Sequence, residues 1–146
     1  MSIMGLFSRK RKPIPPYDKL EAEQRYALYY LLEYLTTKGV PLNEMSWAIQ
    51  YLEKAAIYFG MTKQQIEDYK PFYNTYEKII PYIKQIKNRQ ILEYMISNCS
   101  NIFLLMDGSE EHKQLGEQAY KLYEELGFSY EEVRAIVHKY MYRTDI

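Results

Sequence analysis

The stretch "YFGMTKQQIEDY" at residues 58–69 places a glycine, an apolar residue and a helix-capping residue between two helical patterns. Gly60 can adopt the left-handed conformation that commonly ends a helix, and Met61 can then fold back onto that helix. Thr62 followed by Gln65 forms a capping box, in which each side chain bonds the backbone amide of the other residue. The stretch therefore predicts a tight joint between two α-helices.

The same joint returns 67 residues later in "ELGFSYEEVRAI" at residues 125–136. Gly127 repeats the stop, Phe128 repeats the apolar residue, and Ser129 with Glu132 repeats the capping box. Two joints built in the same way indicate an all-α chain that contains an internal repeat.

The sequences around the two joints also correspond, and they predict two pseudo-repeats of three helices each, over residues 18–70 and 89–143. A helical linker over residues 71–88 joins them, and Pro71 and Pro81 interrupt any single long helix there. We expect a compact bundle of about six to seven helices closed around one core. The alternative fold is a superhelix of the tetratricopeptide kind, in which helix pairs stack in an open array.

Several helix boundaries follow from capping and stop residues. Asp18 and Glu21 predict the capping box that starts the first helix, and Gly39 predicts the left-handed residue that ends it. The second helix is expected over about residues 43–59, with one apolar face. That face comprises Trp47, Leu52, Ala55, Ala56 and Phe59. In the second half, a comparable apolar stripe ends at Gly108 and comprises Leu92, Met95, Ile96, Cys99, Ile102, Phe103 and Met106.

The composition narrows the class of protein. Hydrophobic residues make up 47% of the chain and charged residues 26%, which is typical of a folded globular domain. Cys99 is the single cysteine, so no internal disulfide framework can form, and its place in an apolar stripe predicts a buried side chain. The sequence shows neither a secretory leader nor a run of about 18 apolar residues, so we expect a cytoplasmic protein without a membrane-spanning helix.

The sequence also lacks the common catalytic and zinc-binding motifs. It contains no glycine-rich phosphate loop, no nucleophile elbow and no HExxH motif. His112 and His138 have no cysteine or further histidine at zinc-ligand spacing. We therefore predict a protein that is not an enzyme and that uses no cofactor.

Charge is unevenly distributed along the chain. Residues 1–16 form a predicted flexible basic arm with no acidic residue, while the single helical domain predicted over residues 17–146 carries a net charge of −4. The basic residues of the arm are Arg9, Lys10, Arg11 and Lys12. Preceded by apolar residues, they suit the inner face of an anionic membrane, where each contributes about 1 kcal/mol. Contact with nucleic-acid phosphates and a disordered, solubilising terminus are the alternatives, and the acidic body makes nucleic acid an unexpected partner.

Tyr26, Tyr30 and Tyr34 recur at four-residue spacing and form one strip along the first predicted helix. Tyrosine is common at protein interfaces because its ring is apolar and its hydroxyl is polar. The strip is therefore a candidate interface, and packing under the linker is the alternative.

Residues 104–137, "LLMDGSEEHKQLGEQAYKLYEELGFSYEEVRAIV", contain a helix ending in Asp-Gly, an acidic amphipathic helix and the pattern Gly-apolar-Ser-x-Glu-Glu-Val. Residues 36–69 follow the same order. This arrangement, present twice over most of the chain, resembles the TerB-like family of all-helical tellurite-resistance-associated domains. The resemblance implies a compact helical module linked to metal-stress, phage-defence or membrane-associated assemblies.

The resemblance also implies a metal site, because acidic residues after the first helix of that family have been proposed as one. Asp107, Glu110 and Glu111 match this acidic pattern, whereas the first copy has Lys38 in place of the aspartate. From the residues alone, Glu110 and Glu111 are explained as carboxylates that complement a helix dipole. A hard cation such as calcium also requires six to eight oxygen ligands, more than this loop supplies.

Together these features predict a non-catalytic helical protein-interaction module, associated with a membrane surface or with a stress or defence assembly. The alternative is a metal-ion-responsive stress protein, similar to tellurite-resistance proteins, with a weak acidic cation site. The sequence leaves the protein partner and the oligomeric state open.

Overall fold

The computed structural model describes residues 11–140, which form seven α-helices and three short 3-10 helices with no strand among them. The α-helices are α1 (Ala22–Gly39), α2 (Met45–Phe59), α3 (Lys63–Tyr69), α4 (Tyr76–Ile83), α5 (Arg89–Phe103), α6 (Glu110–Glu125) and α7 (Tyr130–Lys139). The 3-10 helices are Tyr17–Lys19, Leu42–Glu44 and Lys70–Phe72. The predicted compact all-α bundle of six to seven helices is confirmed.

Helix α1 lies at the centre of the bundle, in contact with α2, α4, α5 and α6. A helix that is apolar nearly all round must be covered on several sides. Its buried residues are Ala27, Leu28, Tyr29, Tyr30, Leu31, Leu32, Leu35 and Thr36. Buried side chains from both halves of the chain join one hydrophobic core cluster. The chain is therefore a closed bundle and not the open array of the alternative fold.

The predicted joint between α2 and α3 is confirmed in each of its parts. Gly60 is left-handed, with a φ of 75°, and the amide of Met61 donates to the carbonyl of Ala56 at 2.8 Å. The hydroxyl of Thr62 accepts from the amide of Gln65, whose side chain accepts from the amide of Thr62 at 2.9 Å. The buried Met61 side chain holds the joint against the core.

The joint between α6 and α7 has the same construction. Gly127 has a φ of 93°, and the amide of Phe128 donates to the carbonyl of Tyr123 at 2.9 Å. Ser129 and Glu132 form the capping box, with distances of 3.0 and 3.1 Å. Both joints are fixed by local hydrogen bonds, which is why they could be predicted from short stretches of sequence.

We expect Gly60→Ala to destabilise the protein more than Gly127→Ala does. A left-handed alanine costs about 1–2 kcal/mol at either position. An added Cβ at Gly60 would also lie 2.8 Å from the backbone nitrogen of Pro13, whereas at Gly127 it would meet nothing within 4 Å. Urea denaturation of both variants measures the difference. Equal losses of unfolding free energy would mean that Pro13 does not pack against Gly60 in solution.

The predicted start of the first helix is wrong. Asp18 lies in a 3-10 turn, and α1 begins after Glu21, whose amide donates to the side chain of Gln24 at 3.3 Å. Tyr17 is buried edge-on against Phe59, with ring centroids 4.8 Å apart. The N-cap of α1 is therefore Glu21, three residues after the predicted cap at Asp18.

The predicted role of Gly39 as a left-handed stop is also wrong. Gly39 is the last residue of α1, its φ is not positive, and the extended Val40 ends the helix. A Cβ at Gly39 would lie 2.6 Å from the sulfur of Met106 and 2.8 Å from the Cδ1 of Leu115. The glycine therefore allows side chains from the second half of the molecule to approach α1 closely.

In α2, one residue of the predicted inward face lies outside. Trp47 is 63% exposed, and Ala48 is fully buried in its place. The remaining residues of that predicted face are buried: Leu52, Ala55, Ala56 and Phe59. Because α2 is apolar on more than its core face, it leaves apolar side chains on the surface.

The linker prolines differ in effect. Pro71 lies in the 3-10 helix that follows α3, whereas Pro81 lies inside α4, which continues to Ile83. Thr75 caps α4 through a bond from the amide of Lys78 at 3.3 Å. In α5 the predicted stripe is buried from Leu92 to Ile102, but the helix ends at Phe103 and does not reach Gly108.

Candidate functional site

The strip of three tyrosines on α1, predicted as a candidate interface, is covered by the chain's own residues. Each ring lies against a tyrosine from residues 69–76: Tyr26 against Tyr69 at 4.9 Å, Tyr30 against Tyr73 at 5.0 Å and Tyr34 against Tyr76 at 5.4 Å. Tyr30 is 2% exposed, and its hydroxyl donates to the carbonyl of Ile66. The strip therefore packs under the chain's own residues, as in the alternative interpretation, with Tyr30 buried and Tyr26 and Tyr34 half-buried, and its use as an interface stays a prediction from sequence.

The acidic residues predicted as a metal site lie at the start of α6. The carboxylate of Asp107 accepts from the amide of Ser109 at 3.0 Å, and this bond lowers the pKa of Asp107. The hydroxyl of Ser109 accepts from the amide of His112, while Glu110 and Glu111 are exposed in the first helical turn. Within residues 11–140, no three His, Cys, Asp or Glu side chains are grouped to hold a metal ion. The described contacts are those of helix capping, and the metal site stays a prediction from sequence.

Half of the predicted basic cluster belongs to the described structure. Arg9 and Lys10 lie outside it, Lys12 is exposed, and the guanidinium of Arg11 donates to the carbonyl of Met61 at 2.9 Å. The amide of Ile14 donates to the carbonyl of Tyr58 at 2.9 Å. Residues 11–14 of the predicted arm thus lie along the end of α2 and the turn that follows it.

An open groove runs between α2 and α3, with a volume of about 390 Å³. Its lining combines buried and half-exposed apolar residues with four charged ones: Arg11, Tyr29, Ile49, Leu52, Glu53, Ala56, Ile57, Lys63, Ile66 and Glu67. Ile49 and Ile57, two turns apart on α2, are each 47% exposed. The sequence did not single out this site, although the apolar residues on two faces of α2 are the signal that could have indicated it.

The polar groups of the groove leave its charge balanced. Arg11 and Lys63 supply positive charge, while Glu53 and Glu67 supply negative charge from α2 and α3 respectively. Burial raises the pKa of Tyr29 well above its ordinary value, and the nearby Glu33 and Glu53 carboxylates raise it further. Tyr29 therefore stays neutral at physiological pH and gives the floor of the groove an uncharged ring.

A second, smaller groove of about 240 Å³ lies between α5, α6 and α7. Six residues of the first groove have a counterpart 67 positions later in the second: Tyr29 and Ile96, Ile49 and Gly116, Leu52 and Ala119, Glu53 and Tyr120, Ala56 and Tyr123, Ile66 and Val133. This spacing equals the distance between the two joints and is what the predicted pseudo-repeat requires. The rings of Tyr120 and Tyr123 occupy positions held by Glu53 and Ala56 in the first groove, which narrows the second.

No known protein family, curated protein or solved structure matches the chain.

Cys99 is buried, as predicted, and is 1% exposed. Burial raises the pKa of its thiol to about 12, which a hydrogen bond with Tyr123 only partly offsets. The thiol is thus protonated at neutral pH and shielded from solvent, which is the environment of an unreactive cysteine.

None of the helices formed by residues 11–140 has both the length and the apolar character needed to cross a membrane.

Proposed function

We propose that the chain is a non-catalytic protein-interaction module that binds an amphipathic helical segment of a partner protein in the groove between α2 and α3. The half-exposed Ile49 and Ile57 beside this groove carry the proposal. Full burial of an isoleucine side chain contributes about 1.5–3 kcal/mol, so covering the remaining surface of these two contributes roughly 1 kcal/mol each.

The dimensions of the groove favour a helical partner. Ile49 and Ile57 lie about 12 Å apart along the axis of α2, at 1.5 Å per residue. An amphipathic helix presents apolar residues at positions i, i+3, i+4 and i+7, which cover a similar length. Leu52, Ala56 and Ile66 supply the apolar floor and wall between the two isoleucines. A partner helix can therefore place successive apolar side chains along the whole groove.

The charged residues of the groove supply specificity. Arg11 and Lys63 favour an acidic residue on the partner, and Glu53 and Glu67 favour a basic one. Charges at the rim of an interface affect orientation and association rate more than affinity. The expected ligand is therefore an amphipathic helix with residues of both charges beside its apolar stripe.

We expect helical peptides that bind the full chain to bind Ile49→Asp at least about tenfold more weakly, because a carboxylate would replace apolar surface in the groove. A phage-displayed library of helical peptides, selected on the full chain, supplies the probes. Fluorescence anisotropy then measures the affinity of each selected peptide for both proteins.

Leu104→Asp is the matched control, because Leu104 is 72% exposed and does not line the α2–α3 groove. It should leave peptide affinity unchanged, and circular dichroism should show that both variants keep the helical fold. Peptides that bind Ile49→Asp as tightly as the unaltered chain would place the binding site elsewhere and contradict the proposal.

The resemblance to TerB-like domains supports a proposal about the setting. We propose that the module acts in a stress or defence assembly, as the resemblance of residues 36–69 and 104–137 to that family implies.

A further inference from the structure

The smaller groove, between α5, α6 and α7, has room for a single aromatic ring. Its volume is about 240 Å³, and an apolar cavity of about 150 Å³ is enough to bind benzene. Three of its lining residues are both apolar and buried: Ile96, Ala119 and Val133. The groove can therefore hold one ring with a substituent against an apolar surface.

Gly116 lines this groove, and no described side chain fills the space beside it. A glycine inside a helix destabilises that helix relative to alanine, and Gly116 lies in the interior of α6. Its φ is not positive, and an added Cβ would meet nothing within 4 Å, whereas at Gly39 it would meet Met106 and Leu115. The packing of the described residues therefore does not require this glycine. A ligand that approaches the α6 backbone closely would account for it.

Aromatic rings line both ends of the groove. At one end Phe103 stacks on His112, with ring centroids 5.8 Å apart, and at the other Tyr120 lies edge-on to Tyr123 at 5.9 Å. His112 and Tyr120 are about 12 Å apart along α6, at 1.5 Å per residue. A planar ring between them can make the offset and edge-to-face contacts that aromatic pairs prefer. The lining therefore favours an aromatic ligand over an aliphatic one of the same size.

The polar side chains of the groove can donate hydrogen bonds, and no carboxylate within residues 11–140 lines it. The Nδ1 of His112 accepts from the amide of Gly108 at 2.9 Å, so the neutral ring carries its proton on Nε2. Ser100, three residues before Phe103 on α5, adds a hydroxyl. Donors of this kind complement a carboxylate, which only accepts hydrogen bonds when ionised.

We propose that the groove between α5, α6 and α7 binds a small aromatic carboxylate, with the ring beside Gly116 and the carboxylate accepting hydrogen bonds from Ser100 and His112. Benzoate is the simplest molecule of this class. The site is separate from the α2–α3 groove and does not depend on the function proposed for that groove. A bound ligand contacts three helices of the second half together and stabilises their arrangement.

Methyl NMR of the full chain, titrated with sodium benzoate, tests the site. The methyl signals of Ile96, Ala119 and Val133 should shift along one saturable curve, with a dissociation constant of about 1 mM or lower for a ligand of this size. The methyl signals of Ile49 and Ile57, in the other groove, should keep their positions and serve as internal controls. Unshifted signals in the smaller groove, or larger shifts at Ile49 and Ile57, would overturn the proposal.

Two analogues of benzoate test the ligand class. Cyclohexanecarboxylate lacks the aromatic ring and should bind about three- to tenfold more weakly. Toluene lacks the hydrogen-bond acceptor and should bind about tenfold more weakly. Ser100→Ala should weaken the binding of benzoate but leave that of toluene unchanged. An analogue that binds as tightly as benzoate would contradict the proposed class.

Gly116→Leu tests the position of the ring. The leucine side chain would occupy the groove and should abolish benzoate binding, while the helix should melt at no lower temperature because leucine is a better helix former than glycine. Gln114→Leu, at an exposed position of α6 outside the groove, is the matched control and should bind benzoate like the unaltered chain. Gly116→Ala adds a single methyl group and should weaken binding by a smaller factor with the fold intact. Unchanged benzoate affinity in both Gly116 variants would place the ligand elsewhere and overturn the proposal.

Discussion

Raising the pH from about 10 to about 12 is expected to unfold the protein, because buried tyrosine hydroxyls must ionise over this range. Burial, with a smaller contribution from the neighbouring Tyr82, raises the pKa of Tyr73 from 10.0 to about 12. Burial also raises the pKa of six other tyrosines: Tyr26, Tyr29, Tyr30, Tyr76, Tyr120 and Tyr123. The effect is large because several such groups act together.

The sign of the effect follows from which state binds the proton more tightly. A tyrosine whose pKa is raised by folding stays protonated in the folded state when the unfolded chain has already lost the proton. Its contribution to stability is complete below pH 10 and is lost as the pH rises through the folded-state pKa. A fully buried hydroxyl such as that of Tyr123 lowers the unfolding free energy by up to about 1.4 kcal/mol per pH unit between its unfolded-state and folded-state pKa, and partly exposed tyrosines contribute less.

Circular dichroism and tyrosinate absorbance, recorded through the same titration, measure this behaviour. Loss of helix should coincide with a steep rise in absorbance. Tyr123→Phe removes a buried hydroxyl and should move the transition to higher pH, whereas Tyr130→Phe, at a residue that is 62% exposed, should not. Gradual ionisation near pH 10 with the helices intact would contradict the expectation.

Replacing Tyr73 with alanine is expected to lower the unfolding free energy by about 3–5 kcal/mol, the usual cost of removing a large buried aromatic side chain. Tyr73 is 6% exposed and lies in the connection between α3 and α4. Its ring stacks on Tyr30 at 5.0 Å, lies edge-on to Tyr26 at 6.5 Å and contacts Tyr82 at 5.4 Å. The variant therefore loses contacts to α1 and to α4 together.

Phe72 provides a matched control, because it is an aromatic residue adjacent to Tyr73 and is 65% exposed. Phe72→Ala should change the unfolding free energy by no more than about 0.5 kcal/mol, as is usual for surface residues. Urea denaturation compares the two variants. Similar losses of unfolding free energy for both variants would show that the contacts of Tyr73 with Tyr26 and Tyr30 do not hold the linker on α1.

The sequence predicted the two joints in detail because their determinants are local. Gly60 and Gly127 are followed at once by the residues that bond to them, and Thr62 and Ser129 each meet their capping partner three residues later. No knowledge of the tertiary structure is needed for such devices. The all-α fold follows from them together with the helical spacing of the apolar residues.

The wrong predictions depend on residues distant in sequence. A glycine at the end of a helical pattern, such as Gly39, predicts a left-handed residue that ends the helix. The structure instead requires a glycine there because Met106 and Leu115, from the second half of the chain, approach it closely. Trp47 was assigned inward because it is large and apolar, yet the packing of α2 on α1 selects the neighbouring face that contains Ala48. Local patterns do not determine which of two apolar faces is buried.

The candidate site was predicted least well, for the same reason. The strip containing Tyr30 was correctly placed along α1, but its burial depends on where Tyr73 lies. The α2–α3 groove is formed by residues of three helices, among them Tyr29 of α1. Ile49 and Ile57 can be recognised as part of its lining only when the positions of these helices are known. A surface made by several elements becomes visible only when their arrangement is known.

Tyr120 and Tyr123 fill part of the second groove, and this difference from the first groove predicts which substitutions would increase the heat resistance of the chain. The second groove has the rings of Tyr120 and Tyr123 where the first has the carboxylate of Glu53 and the methyl group of Ala56. Large side chains introduced at those two positions would copy the filled half and increase packing, and they would occupy the space in which we propose that a partner helix binds. Selection for thermal tolerance alone would thus drive the open half to resemble the closed one, whereas Glu53 and Ala56 are expected to be retained if the groove binds a partner as proposed.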